Sequence, residues 1–264
     1  MSLIQSIILS IVQGITEFLP ISSDGHLNLF QNLFRLTPSL AFDVFLHAAT
    51  FLSVIFFFRN QLKYFFSNLK YIIIGSIPAV IVGFFLKDQI ESLFSNPKLL
   101  PLFFLITAIF VFSTKFIKKQ DKKITYSTAF IIGIFQSIAI LPGVSRSGLT
   151  IFSALLFGLS SINAFNFSFC LFIPVSIGAI LLSTKDIVDQ SIINSNNLIA
   201  FIVAFFTGII ALTFLKKVVT SQKFWIFGIY TFILAILLFF VFSNHLSSLQ
   251  VGPELTLPDS ELPL

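Results

Sequence analysis

Long apolar stretches alternate with short polar connections along most of the chain. A helix needs about 20 apolar residues to cross the hydrocarbon core of a bilayer, and six stretches approach or reach that length. The predicted membrane-spanning helices are Ala41–Phe58, Tyr71–Leu86, Leu99–Thr114, Ile162–Ser183, Leu198–Leu215 and Phe224–Phe242. The pattern predicts an all-α integral membrane protein with six transmembrane helices, in a single domain over residues 1–242.

Two further apolar regions, Met1–Arg35 and Ile124–Ser161, are each interrupted by polar residues and one proline. The connections after the first, third and fifth predicted spans are rich in Lys and Arg, so they should face the cytoplasm. The third span then ends and the fourth begins on that side, which requires Ile124–Ser161 to enter and leave the membrane on one face. By the same count Met1–Arg35 dips in from the opposite face. Both regions are predicted re-entrant broken helical hairpins, and both termini are predicted to be extracytoplasmic.

The chain contains an internal repeat at an offset of 123 residues. The aligned positions are Gln13 with Gln136, Gly25 with Gly148, and Ala41–Asp43 with Ala164–Asn166. Each unit, residues 1–114 and residues 124–242, holds one hairpin and three spans, and this odd number inverts one unit relative to the other. Inverted-topology repeats place their sites near the membrane midplane, where broken helices meet. The breaks at Pro20 and Pro142 are therefore candidate sites.

Composition supports the bilayer assignment. Hydrophobic residues make up 56% of the chain and charged residues 10%, and the mean hydropathy is +0.99. The net charge of +5 does not indicate a nucleic-acid partner, because the basic residues lie at helix ends, where lipid headgroups and topology explain them. Cys170 is the only cysteine, which excludes an intrachain disulfide. Pro, Ser and acidic residues in 243–264 predict a disordered extracytoplasmic tail.

The first polar segment, residues 13–26, carries a carboxylate and an imidazole. Gln13 and Glu17 are four residues apart, so they share one face of a helix that Pro20 ends. An ionisable residue in such an apolar run is expensive and is functional by default, although a structural ion pair is the alternative. A carboxylate beside an amide suits a divalent cation that also holds phosphate oxygens. We therefore predict Glu17 and Gln13 as metal ligands.

Beyond Pro20, hydroxyl and imidazole groups can serve an anionic substrate. Ser22, Ser23 and Asp24 can cap the next half-helix, whose free N–H groups favour an anion, or they can act as caps alone. His26 lies about one turn further on, where it could act as general base or nucleophile toward phosphorus. We predict Ser23 and His26 as catalytic residues beside Glu17, and Ser22 as substrate-binding.

The second polar segment, residues 136–150, carries a guanidinium in place of the carboxylate. Arg146 is the side chain suited to clamp phosphate oxygens in a bidentate way, and hydroxyl donors surround it. Its alternative is a buried ion pair with Glu17, and both can hold in the empty protein. We predict Arg146 as catalytic. The predicted substrate-binding residues of this segment are Ser145, Ser147, Gly148 and Thr150. Asp43 and His47, one turn apart at the start of the first full span, either extend the site or lie at the membrane interface.

At these residues the chain resembles the undecaprenyl-diphosphate phosphatase family of bacteria, the bacitracin-resistance type of membrane phosphatase. The resemblance rests on residues 13–26 and on residues 142–150, which read Pro-Gly-Val-Ser-Arg-Ser-Gly-Leu-Thr. It extends to Phe165–Ile180 and, more faintly, over the chain up to the tail. In that family Glu is also found at the position of Gln13, and many members have Thr at the position of Asp24.

The resemblance implies hydrolysis of undecaprenyl diphosphate to undecaprenyl phosphate and inorganic phosphate, which recycles the cell-wall carrier lipid. It also implies a divalent cation (Mg²⁺ or Ca²⁺), an inverted-repeat fold, the bacterial inner membrane, competition with bacitracin for the substrate, and a possible homodimer. Carried over by residue, Glu17 with Gln13 would serve the metal and Arg146 the pyrophosphate, while His26 with Ser22 or Ser23 would perform the chemistry.

Two other functions compete with this interpretation. A transporter or flippase of lipid-linked phosphate would use the same inverted-repeat architecture, but translocation alone has no need of His26. A phosphatase of the PAP2 lipid-phosphatase superfamily would have another His shortly after the Ser-Arg pair, and Ser147–Phe157 contains none.

Overall fold

The computed structural model describes residues 1–37, 39–86, 89, 92–93, 96–189 and 192–250, and the long elements in these ranges are α-helices. We number them α1 Leu3–Thr16, α2 Ser23–Leu33, α3 Leu40–Phe58, α4 Leu62–Phe85, α5 Leu100–Ser113, α6 Tyr126–Ile138, α7 Arg146–Leu156, α8 Ser161–Asp189, α9 Ser195–Thr220 and α10 Ile226–Gln250. The predicted all-α fold class is confirmed for this part of the chain.

Within the described ranges, four helical stretches are long and apolar enough to cross a membrane, which makes the chain a multi-pass membrane protein. They are Leu40–Phe85, Ser161–Lys185, Ser195–Thr220 and Ile226–Ser243. The first contains two of the predicted spans, because only a 3-10 turn at Arg59–Gln61 separates α3 from α4. The span predicted at Leu99–Thr114 corresponds to α5, which has 14 residues.

Several helices extend beyond the predicted spans. The span predicted from Tyr71 belongs to α4, which begins at Leu62 and so includes Lys63 and Lys70. Lysine is a good helix former whose stem can lie along apolar surface, so a charge ends the apolar run without ending the helix. Similarly, α10 continues through Gln250, into the tail predicted to be disordered, because no Gly or Pro interrupts it before Gly252. The rest of that tail lies outside the described residues.

The two polar segments fold as similar helical pairs, α1–α2 and α6–α7. In each pair the first helix ends before a proline, at Thr16 or at Ile138, because proline disfavours helix in the residues preceding it. In each pair a serine then caps the second helix: Ser22 Oγ accepts from the Gly25 N–H at 3.4 Å, and Ser145 Oγ accepts from the Gly148 N–H at 3.2 Å. The half-helix cap predicted for the first segment is thus present at Ser22, and Ser145 caps the second segment in the same way.

In each half of the chain, the first helix of the polar segment packs against a helix of the other half. Helix α1 packs along α9 of the second half, and α6 packs along α4 of the first half. Helix α5 packs along α10, and α3 packs against both α9 and α8. The pairs α5–α10 and α3–α8 join helices that correspond at the offset of 123. The two helical pairs are thereby enclosed by helices from both halves.

The two helical pairs meet closely where their turns lie. A Cβ atom built on Gly25 would lie 3.3 Å from Gly143 Cα and 2.5 Å from Phe104 Cζ, so only glycine fits there. Gly143 has φ 92°, a left-handed backbone conformation that favours glycine. Beside this contact, the buried ring of Phe18 packs edge-on against Phe169 of α8 at 5.6 Å between centroids. The residue next to Glu17 is thus anchored in the core.

Candidate active site

Glu17, in the turn after α1, is the centre of a polar cluster. Its Oε2 accepts hydrogen bonds from Ser23 Oγ at 2.7 Å and from Gln13 Nε2 at 3.0 Å. Its Oε1 lies 3.3 Å from His47 Nδ1 and 3.5 Å from Arg146 Nη2. The Glu17 side chain is only 7% exposed. Both polar segments therefore converge on one buried carboxylate.

Arg146 is the first residue of α7, and only one of its two terminal nitrogens has a hydrogen-bond partner. Its Nη2 faces Glu17, and its guanidinium carbon lies 4.0 Å from the centroid of the Phe172 ring. Its Nη1 is buried and has no hydrogen-bond partner. A guanidinium presents paired donors that match phosphate oxygens, so this arrangement leaves one donor of Arg146 for an anion.

His47 contacts the carboxylate, and two acidic residues lie further out. His47 Nε2 lies 3.0 Å from Ser176 Oγ, which orients the imidazole that faces Glu17. Asp24 is exposed in the first turn of α2 and lies within electrostatic range of Glu17 and Arg146. Asp43 accepts a hydrogen bond from Gln31 Nε2 at 2.7 Å.

His26 is buried and both of its ring nitrogens have partners outside the Glu17 cluster. Its Nδ1 lies 2.7 Å from the Ser22 carbonyl oxygen, and its Nε2 lies 2.8 Å from the hydroxyl of Tyr230 on α10. A carbonyl only accepts, so Nδ1 carries the proton and Nε2 accepts from Tyr230. The two rings are stacked, with an interplanar angle of 15°. In this arrangement His26 ties the first turn of α2 to α10.

The hydroxyl groups of the second segment organise the start of α7. Ser147 Oγ lies 3.2 Å from the capping Ser145 Oγ. Thr150 Oγ1 donates to the Arg146 carbonyl at 2.8 Å and lies 2.6 Å from Ser168 Oγ. Gly148 packs against Val111. These contacts fix the backbone that carries Arg146.

The sequence of the chain matches one family model over nearly the whole helical region. The model described as "Bacitracin resistance protein BacA" matches residues 6–237. The chain belongs to the bacitracin resistance protein BacA family. This confirms the resemblance found in the two polar segments.

Relatives of this BacA-family chain carry the name "Undecaprenyl-diphosphatase". The protein of Thermosipho africanus is 44% identical over 89% of this chain and 98% of its own length. The protein of Methanococcus vannielii is 41% identical over 89% of this chain and 99% of its own length. The protein of Christiangramia forsetii is 39% identical over 89% of this chain and 97% of its own length.

The predicted site residues fall into two groups in this BacA-family structure. Gln13, Glu17, Ser23 and Arg146 come together, whereas the other predicted residues make structural contacts nearby. The latter are Ser22, His26, Ser145, Ser147, Gly148 and Thr150. Of the two residues left open, His47 contacts Glu17 directly. His47 could be noticed in the sequence as a polar residue within a span, whereas nothing in the sequence indicated Tyr230.

The oxygen atoms near Glu17 can contribute to a cation site. Gln13 Oε1 is buried without a hydrogen-bond partner, while Nε2 of the same amide donates to Glu17. Among the described residues, no three His, Cys, Asp or Glu side chains are grouped to hold a metal. Carboxylate and amide oxygens suit a hard cation. Gln13 and Glu17 therefore fit a cation that takes its other oxygens from phosphate and water.

Replacing Tyr230 by phenylalanine is expected to reduce kcat of phosphate release about 2- to 10-fold with little change in KM. The ring stacking is kept, but His26 Nε2 loses its hydrogen bond, which is worth about 0.5–1.5 kcal/mol. Steady-state assays in detergent measure both constants. Tyr126→Phe is the matched control, because Tyr126 is exposed and packs against Tyr71. An unchanged kcat in Tyr230→Phe would show that Tyr230 does not position His26.

Proposed function

We propose that this chain hydrolyses undecaprenyl diphosphate to undecaprenyl phosphate and inorganic phosphate, and so recycles a cell-wall carrier lipid. The observation that carries the proposal is the contact of Glu17 with both Ser23 and Arg146, because it joins a proton acceptor, a nucleophile and an anion clamp. The names of the family's relatives support the same substrate.

In the proposed reaction Arg146 binds the non-bridging oxygens of the diphosphate through Nη1 and stabilises the charge that develops as the anhydride bond breaks. Ser23 Oγ attacks the terminal phosphorus while Glu17 takes its proton, and undecaprenyl phosphate leaves. A water molecule then attacks the same phosphorus, and the bond from phosphorus to Ser23 Oγ breaks. Glu17 returns its proton to Ser23 Oγ, one proton of the water goes to solvent, and inorganic phosphate leaves. The 2.7 Å hydrogen bond from Ser23 to Glu17 favours this proton path. His26 positions the turn that carries Ser23.

Mg²⁺ or Ca²⁺ is the proposed cofactor, held by Glu17 and by the unpaired Oε1 of Gln13. Such a cation would neutralise charge on the phosphate oxygens. Among this chain's own residues, His47 and Ser23 keep the Glu17 carboxylate in place, and Arg146 supplies the fixed positive charge.

The proposed membrane arrangement has six spans and two re-entrant helical pairs in an inverted-topology repeat, with both termini outside the cytoplasm. The exchange of α1 and α6 between the halves supports it, as do the basic connections. The proposed location is the inner membrane of a bacterial cell. Bacitracin is proposed to compete for the lipid diphosphate, and a homodimer is the proposed assembly.

Phosphate release from undecaprenyl diphosphate by the purified chain in detergent with Mg²⁺ tests the activity. Detergent micelles have no second leaflet, so release there requires hydrolysis and not transport. We expect catalytic release. Proteoliposomes that move the lipid between leaflets while no phosphate appears in detergent would instead identify a transporter.

A further inference from the structure

Buried polar atoms without a hydrogen-bond partner are concentrated at the two polar segments. In the described part of the chain there are five such side-chain atoms: Gln13 Oε1, Gln136 Nε2 and Oε1, Arg146 Nη1 and Asn166 Oδ1. Buried polar groups are normally paired, so each exception needs an explanation. Gln136 is the strongest exception, since both polar atoms of its amide are unpaired.

Comparison of the two repeats explains how Gln136 came to be unpaired. Its counterpart at the offset of 123, Gln13, donates to Glu17 at 3.0 Å. The counterpart of Glu17 is Ile140, which has no acceptor. The buried amide of Gln136 therefore lacks the carboxylate partner that Gln13 has in the first repeat.

The same loss affects Asn166. Its counterpart, Asp43, accepts from Gln31 at 2.7 Å, whereas the counterpart of Gln31 is Ala154. The second repeat thus keeps one member of each polar pair found in the first. Asn166 has only one unpaired atom, an acceptor, so it is not suited to bind an anion.

The correspondence between the repeats indicates that Gln136 and Arg146 can share one acceptor. In the first pair of helices, Gln13 and Ser23 donate to the same oxygen of Glu17, at 3.0 and 2.7 Å. Their counterparts are Gln136, on α6, and Arg146, on α7, and α6 packs against α7. Both counterparts have unpaired donor atoms, at Nε2 and Nη1.

We propose that Gln136 is a second substrate-binding residue, which donates from Nε2 to a non-bridging phosphate oxygen of the diphosphate group held by Arg146. The proposal rests on the proposed function and adds a neutral donor from the second repeat. A neutral amide binds the headgroup without adding charge beside Arg146, and the diphosphate supplies the acceptor that Ile140 cannot.

Gln136→Met tests the proposal, because methionine has similar size and no amide. We expect kcat/KM for undecaprenyl diphosphate to fall about 10- to 100-fold, mainly through a higher KM. Without ligand, the midpoint of thermal unfolding in detergent should stay the same or rise, since the variant buries no unpaired polar atom. Methylenediphosphonate with Mg²⁺ should raise this midpoint in the parent protein but not in the variant.

Gln120→Met is the matched control, because Gln120 is exposed, and it should leave all three quantities unchanged. Gln136→Asn, which shortens the amide by one methylene, serves if the methionine variant does not fold, and it should also raise KM. An unchanged KM and a full response to methylenediphosphonate in either Gln136 variant would overturn the proposal. If the parent protein itself releases no phosphate, the proposed function fails, whereas normal Gln136 variants beside an inactive Arg146 variant reject only the role of Gln136.

Discussion

Arg146→Lys is expected to lower phosphate release about 10²- to 10³-fold, the loss typical of removing one preorganised donor to transition-state charge. Lysine keeps the positive charge, but it cannot reach Glu17 and the diphosphate at the same time with two planar donors. It also loses the stacking of the guanidinium on Phe172, at 4.0 Å. The decrease should appear mainly in kcat, measured at saturating lipid in detergent.

Arg59→Lys is the matched control for this variant. Arg59 also stacks on a phenylalanine ring, that of Phe56 at 4.0 Å, but it is exposed and donates only to a backbone carbonyl. Its replacement should leave kcat within about 2-fold of the parent value, as expected for a surface substitution. A near-native rate for Arg146→Lys would mean that the charge alone suffices and that the guanidinium geometry has no catalytic role.

The contact between Glu17 and Arg146 could be anticipated from the sequence. Each is an isolated charge in a polar break of an apolar chain, and a charge at membrane depth needs a partner. The corresponding breaks also indicated where the helices would end, because proline and serine act locally. The helix ends depend on residues that are adjacent in the chain, so they can be recognised in a single sequence.

The position of His26 could not be anticipated in the same way. The sequence suggested general-base chemistry for its imidazole, whereas the structure directs its Nε2 to Tyr230, which is 204 residues away in the chain. Tyr230 stands in an apolar run of the last span, and only the packing of α10 brings it to His26. For His47 the sequence left both a site role and an interfacial position open. In the structure, α3 packs against the turn after α1, and His47 therefore contacts Glu17.

Glu17→Gln is expected to reduce kcat about 10²- to 10⁴-fold, because the amide keeps the shape of Glu17 but cannot take the proton of Ser23. The two oxygens of Glu17 contact four side chains, and the substitution removes the ion pair with Arg146. The midpoint of thermal unfolding should therefore also fall, since removing one partner of a buried ion pair is destabilising. Asp121→Asn, at an exposed carboxylate, is the control and should change neither quantity.

The double variant Glu17→Gln with Ser23→Ala separates the loss of catalysis from the loss of stability. If Glu17 acts by accepting the Ser23 proton, Ser23→Ala alone should be nearly as slow as Glu17→Gln, and the double variant should be no slower than either, because residues that act as a unit are not additive. The unfolding midpoint should fall further where Glu17 is changed than in Ser23→Ala alone, since Ser23→Ala loses one hydrogen bond but retains the ion pair. Multiplicative losses of kcat would assign the two side chains independent roles and remove Glu17 as the base for Ser23.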